Sequence, residues 1–180
     1  MILRTAEFSS CRRYRYALSR IWSSKTPYAL FIGLNPSTAD ELADDPTIRR
    51  CMRFAKNWGY GGLVMANLFA FRATEPRIML SAVDPIGSEN DRWLKHLAKN
   101  AGIVIAAWGA HGGFMERDRQ VAAMFPDLQC LGLTGKGYPR HPLYLPGNSQ
   151  PQPYILHGGS DTAPDGGADS SRIQGEDNGR

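Results

Sequence analysis

Tyr28-Ala29-Leu30-Phe31-Ile32-Gly33-Leu34-Asn35-Pro36-Ser37-Thr38-Ala39 is the stretch that decides the fold. An apolar run ends abruptly in a glycine, a side-chain amide, a proline and two hydroxyls. Such a run, bounded by turn residues and too short for a helix, reads as a strand buried on both faces. In open α/β sheets, ligands bind at the carboxyl ends of the parallel strands. The Gly33–Thr38 loop is therefore the first place to look for chemistry.

The pattern repeats outward from this strand. Asp44-Asp45-Pro46 opens a helix, since Asp caps and Pro suits the first turn. Ile48, Cys51, Met52 and Ala55 form its apolar face, and Trp58-Gly59 closes it. Leu63–Ala66 is a second buried strand, delivering Asn67. Residues 72–87 read as loop. Ser88-Glu89-Asn90-Asp91 has the form of a capping box, ahead of a helix that turns Leu94, Leu97, Ala98 and Ala101 inward. Ile103–Ala107 is a third buried strand, ending in Trp108-Gly109. Residues 114–125 read as helix, 128–133 as a fourth strand, and 135–142 as a loop carrying His141. Upstream, residues 12–22 read as a strand in which Tyr14, Tyr16 and Leu18 alternate with Arg13, Arg15 and Ala17. Strands alternating with helices imply a parallel sheet with right-handed crossovers.

The 180 residues suit one α/β domain over residues 1–146. Residues 147–180 are rich in Gly, Pro, Ser and Asp and are expected to be disordered. No apolar run reaches the roughly 18 residues of a membrane span, and residues 1–5 do not read as a signal peptide, so a cytoplasmic location is expected. Three scattered cysteines without a CxxC pair indicate neither zinc nor an iron–sulfur cluster. No cofactor or metal is expected. The net charge is +4, but acids dominate after residue 146. Arg4, Arg12, Arg13, Arg15, Arg20 and Lys25 face only Glu7 in the first 25 positions. That surplus suits a nucleic acid or nucleotide partner, or is a solvated basic face.

A parallel sheet brings its strand ends to one edge, so Asn35, Asn67, Trp108-Gly109 and His141 should share a crevice, with His111 close by. Each has a bland alternative: Asn35 as a turn cap, Asn67 as a partner for backbone groups, Trp108 as core. Together they support specific chemistry. An amide offers a donor and an acceptor side by side and can read a nucleobase edge. A histidine can stabilise a departing oxygen that gains negative charge. Asn35 takes no proton near neutral pH, so it can hold a water but not deprotonate it.

These segments, in this order, resemble the uracil-DNA glycosylase superfamily. Gly33-Leu34-Asn35-Pro36 looks like its water-activating motif in the asparagine version. The Val64–Ala73 strand is similar to the one whose asparagine reads the base. Ala107-Trp108-Gly109 and His141-Pro142-Leu143 resemble its Trp-Gly strand end and His-Pro loop. The resemblance implies a three-layer α/β/α sandwich around a four-stranded, mainly parallel sheet. It implies an N-glycosidic hydrolase with Asn35 holding water and His141 binding the base anion. Asn67 would read the base within a pocket of Gly33, Leu34, Pro36, Trp108 and Gly109, while Ser37, Thr38 and Asp45 are extra polar groups that this pattern does not explain and that would bind a substituent of the base. Phe69 or Phe71 would stack, and Leu143 or Tyr144 would fill the gap left by a flipped base. The chain departs from the pattern at Asn35, where the most active branch has an aspartate. It departs again at Ser37-Thr38, where an aromatic residue would exclude a 5-methyl group, so a bulkier pyrimidine would fit. At closer range, residues 10–146 resemble the uncharacterised DUF1643 family, through Gly33–Asp40, Asp44–Arg50, Asn67–Ala70 and His141–Leu145. Two other readings remain open: a non-catalytic nucleobase-binding module, and a different hydrolase using Asp45 and His141.

Overall fold

The computed structural model describes residues 1–156. Its centre is the expected buried strand, β3 (Tyr28–Gly33). The chain leaves it through α1 (Pro46–Asn57) to reach β4 (Gly62–Asn67), whose six residues are all buried. It then crosses through α3 (Asn90–Ala98) to β5 (Ala101–Ala106) on the other side of β3. The strand β6 (Gln129–Cys130) follows beside β5. Strands β3, β4, β5 and β6 are mutually parallel.

The expected four-stranded sheet is enlarged to seven strands and is mixed. Its order is β1-β2-β4-β3-β5-β6-β7. β1 (Leu3–Phe8) and β2 (Arg15–Ile21) add antiparallel at one edge. β7 (Gln152–Pro153) adds antiparallel at the other. β1 is largely exposed and lacks a strong apolar alternation. Pairing with β2, not composition, makes it a strand. β7 lies beyond the expected domain boundary at residue 146, and Tyr154 next to it is buried against Trp108, ring centroids 5.6 Å apart. The part of the expected disordered tail after residue 156 lies outside the described residues.

Two apolar cores flank the sheet and make three layers. On one face α1 buries Ile48, Cys51, Met52, Phe54 and Ala55 against Ala29, Phe31, Leu63 and Met65. On the other, Leu94 and Leu97 of α3 and Val121 of α4 (Arg117–Ala122) pack on Leu30, Ile32, Val64 and Ala66. The alternation of Leu30/Ile32 with Ala29/Phe31 is why β3 reads as continuously apolar: it serves both cores. Asp45 caps α1, its Oδ1 accepting from the Ile48 N–H at 2.8 Å, with Pro46 next.

Other expectations are corrected. The strand read over 12–22 starts at Arg15, because Arg12 is left-handed with φ 54° in a turn. Arg15 and Ala17 are buried, not outward. The loop 72–87 holds a short helix, α2 (Pro76–Leu80). The helix over 114–125 shrinks to α4, because Phe114 is extended and Met115 and Glu116 are left-handed. The strand over 128–133 shrinks to β6: from Gly132 the chain folds back, with Leu133 bridging Pro139. The capping box does not form. Glu89 occupies the cap without a side-chain bond, and Asn90 turns inward.

The basic N-terminal run is largely engaged internally. Arg20 is fully buried, its Nε 2.7 Å from Asp44 Oδ1; Arg4 also reaches Asp44, at 3.1 Å, and Arg12 lies 3.5 Å from Glu41. Among the described residues no helix is long and apolar enough to cross a membrane.

Candidate functional site

The chain reverses direction across the sheet between β3 and β5: the crossover from β3 runs one way, that from β5 the other. The loops following these two strands diverge there and leave a crevice. A cavity of about 430 Å³ occupies it.

The loop after β3 lines the cavity with Gly33, Leu34, Asn35 and Ser37, and the start of α1 with Asp45, Thr47 and Ile48. β4 adds Met65 and Asn67. The segment after β5 adds Ala107, Trp108, Gly109, Ala110 and His111, and the His-Pro loop adds His141, Pro142 and Tyr144. Arg15 and Pro76 complete the wall. Most of the expected site thus converges. Five expected residues do not line this cavity. Pro36 is buried beside it. Phe69 is fully buried against Phe114, ring centroids 5.7 Å apart. Thr38 and Phe71 line a neighbouring groove, and Leu143 is exposed away from the cavity.

Backbone bonds zip the loops after β3 and β4 together. Leu68 N–H donates to Gly33 O at 2.9 Å, Phe69 N–H to Leu34 O at 3.0 Å, and Ala73 N–H to Pro36 O at 3.0 Å. Asn35 joins the same seam through Nδ2, which donates to Ala73 O at 2.8 Å and Pro36 O at 3.1 Å. Both amide hydrogens are spent, so Oδ1 remains as an acceptor.

Asn67 ends β4 with its side chain against Gly33. A Cβ on Gly33 would stand 2.9 Å from Asn67 Nδ2, so the glycine makes room for the amide. Asn67 Oδ1 is buried and has no hydrogen-bond partner among the described residues. The backbone around it is clamped. Asn90 Nδ2 donates to Asn67 O at 3.0 Å and Leu68 O at 2.9 Å, and Arg117 Nε donates to Leu68 O at 3.0 Å. The sequence places Asn90 in an expected capping box and Arg117 in an ordinary helical segment, so neither points to this clamp.

His141 starts a short 3₁₀ turn, Pro142–Tyr144, and its Nδ1 accepts from the Leu143 N–H at 3.4 Å. That bond assigns the imidazole proton to Nε2. Burial lowers the His141 pKa from its ordinary value, against the opposing pull of the Asp45 charge. At neutral pH the ring is an uncharged Nε2–H donor.

Arg15 is 2% exposed. Its Nη1 donates to Ala39 O at 2.6 Å, while Nε is buried without a partner among the described residues. Burial lowers its pKa to about 10, with the Asp45 charge opposing, so it is a cation at neutral pH. The 36–45 loop packs over β2 and encloses it through the Ala39 bond. Trp108 is 2% exposed and belongs both to the core and to the cavity wall. No cluster of three or more His, Cys, Asp or Glu able to hold a metal occurs among the described residues.

Residues 15–143, more than two thirds of the chain, match the family described as "Protein of unknown function (DUF1643)". The chain belongs to the DUF1643 family. The match begins at Arg15 and ends at Leu143, so it contains β2 to β6 and nearly every residue of the cavity. The added edge strands β1 and β7 fall outside it. Searches among curated proteins and solved structures find no match.

Proposed function

We propose that this DUF1643 chain is an N-glycosidic hydrolase that binds a nucleobase in the cavity. The observation that carries the reading is Asn67: a buried amide at the cavity wall whose Oδ1 lacks a partner. Leaving such an acceptor unmade costs about 1–3 kcal/mol, which a donor on a bound base would recover. A base edge presents a donor and an acceptor together, as the amide does. The size is also suitable, since small-molecule sites occupy roughly 300–1,000 Å³.

Two further polarities support glycosidic cleavage. Asn35 Oδ1 is an acceptor with its amide hydrogens committed elsewhere, so it can hold a water by one hydrogen. Neutral His141 offers Nε2–H to a carbonyl oxygen of the base. In the reaction the C1′–N bond breaks and its electron pair leaves with the base, spread onto the oxygen facing His141. The water oxygen bonds to C1′, and its proton passes to the departing base. The products are a free base and a sugar hemiacetal. The leaving group carries most of the work, as an oxocarbenium-like transition state requires, because Asn35 cannot deprotonate the water.

One observation favours a second reading. Asp45 is the carboxylate on the cavity wall, and its Oδ1 is occupied by the Ile48 N–H while Oδ2 is not. In a hydrolase of another class it would activate the water with His141 as the donor. The test incubates the full chain with nucleosides, nucleotides and oligonucleotides bearing uracil, mismatches or 5-substituted pyrimidines, and measures free base and abasic sites. Base release that is lost in Asn67→Ala and His141→Ala supports the first reading. Turnover lost in Asp45→Asn but retained in Asn67→Ala supports the second. Saturable base binding without product makes the chain a binding module. Release undiminished in an Asn35→Ala/His141→Ala double variant refutes the assignment of the site.

A further inference from the structure

Arg15 is a buried cation with an unused binding edge. A guanidinium has five N–H donors in a fixed plane. Here Nη1 is spent on Ala39 O, Nε is buried without a partner, and Nη2 makes no hydrogen bond among the described residues. Nε–H and one Nη2–H lie on the same edge, the edge that grips two oxygens of an oxyanion side-on. No carboxylate lies within 4.0 Å of Arg15 among the described residues.

Arg20, five residues along the same strand, gives the contrast. It is equally buried, but its Nε meets Asp44 Oδ1 at 2.7 Å, Nη1 meets Ser19 O at 2.9 Å and Nη2 meets Asp40 O at 2.5 Å. Arg20 is accounted for by the fold. Arg15 is not, and it lines the cavity. A buried charge left uncompensated is costly, and an anionic ligand is the compensation that the site lacks.

We propose that Arg15 is a phosphate subsite, and that the cavity takes a nucleoside 5′-monophosphate. This rests on the nucleobase reading above for the other end of the ligand. The free nucleotide is preferred over a strand because Arg15 is enclosed, where the backbone of a polynucleotide would have to be threaded in. A cavity of about 430 Å³ holds a whole mononucleotide. The groove lined by Arg12, Arg13 and Arg72 meets the cavity at Ser37, giving an anion a positively charged approach. Asp45 lines the same cavity with its Oδ1 held by the Ile48 N–H, which leaves Oδ2 to accept from a sugar hydroxyl.

The test is calorimetric titration of the full chain with four nucleosides, their 5′-monophosphates, ribose 5-phosphate and a short single-stranded oligonucleotide. The expected result is a nucleoside monophosphate that binds about ten-fold or more tighter than its nucleoside, with measurable binding of ribose 5-phosphate. Arg15→Gln brings that ratio close to one while nucleoside affinity holds. If Arg15→Gln fails to fold, the wild-type ratio decides alone. Equal affinity for nucleoside and monophosphate overturns the proposal, as does an oligonucleotide that outcompetes every monophosphate, or no binding by any probe. Failure of the base reading looks different: ribose 5-phosphate and the monophosphates then bind equally and Asn67→Ala changes nothing, while the Arg15 subsite stands.

Discussion

Replacing Asn35 by aspartate tests the polarity on which the hydrolytic reading depends. The change is isosteric, so packing is unaltered. It converts Nδ2, which donates to Ala73 O at 2.8 Å and Pro36 O at 3.1 Å, into an oxygen facing two carbonyl oxygens. Two net hydrogen bonds are lost, at about 1 kcal/mol each. Pro36 O keeps the Ala73 N–H, so only Ala73 O is left without its donor, for about 1 kcal/mol more. The total is about 2–3 kcal/mol at neutral pH, or a fall in Tm of roughly 5–10 °C for a chain of this size. The loss is pH-dependent. A protonated carboxyl can donate its O–H to Ala73 O, so the folded state raises the new group's pKa above the ordinary value near 3.9. Below that value both states are protonated and the penalty is small. It grows as pH rises from about 4, where only the unfolded chain ionises, and levels off above the raised folded pKa. The assay is denaturant unfolding of parent and variant at pH 4 to 8. Equal stability of the two at every pH would refute the reasoning: Asn35 would not present its oxygen to the cavity, and the water-holding role would fall with it.

Three further outcomes are expected. Gly33→Ala places a Cβ 2.9 Å from Asn67 Nδ2 and displaces the amide; ligand affinity should fall about ten-fold with a modest change in Tm, read by calorimetry and thermal melting. Gly112→Ala is costlier to the fold, because its Cβ would stand 2.1 Å from Trp108 Cδ1 in a buried contact. Overpacking of this kind costs about 1–3 kcal/mol, and a Tm lowered by less than a degree would refute that contact. His141 has a folded pKa below its ordinary 6.5, so its neutral form predominates at pH 7 and above and is lost as pH falls through the lowered value. Activity that needs the neutral donor should hold from pH 7 to 8 and decline below pH 6.5 with His141, measured by a pH–rate profile and by NMR titration of the ring; a His141 that titrates above 6.5 contradicts it.

Much of the core was legible in the chain itself. The β3 run, the Asp45-Pro46 start of α1 and the buried β4 and β5 runs are local signals, because a strand serving two cores must be apolar throughout and a helix start needs its cap. The parallel order of those strands follows from the crossovers. It brings Asn35, Asn67, Trp108, Gly109 and His141 to one edge, which is why their convergence on one cavity was legible too. Phe69 and Leu143 show where such reasoning stops. Each lies within two residues of a cavity residue, yet the backbone turns one into the core and the other to solvent.

The sequence by itself determined which segments are strands buried on both faces and which polar residues stand at their ends. These are properties of single segments, set by hydrophobic periodicity and turn chemistry. Only the tertiary structure decided the rest: the edge strands β1 and β7, the Asn90 and Arg117 clamp, the fixed polarity of the Asn35 amide, and the enclosure of Arg15. Each arises from contacts between segments distant in the chain. Pairing makes a strand of β1, a carbonyl 38 residues away orients Asn35, and a loop folded over β2 encloses Arg15, an arginine on a strand.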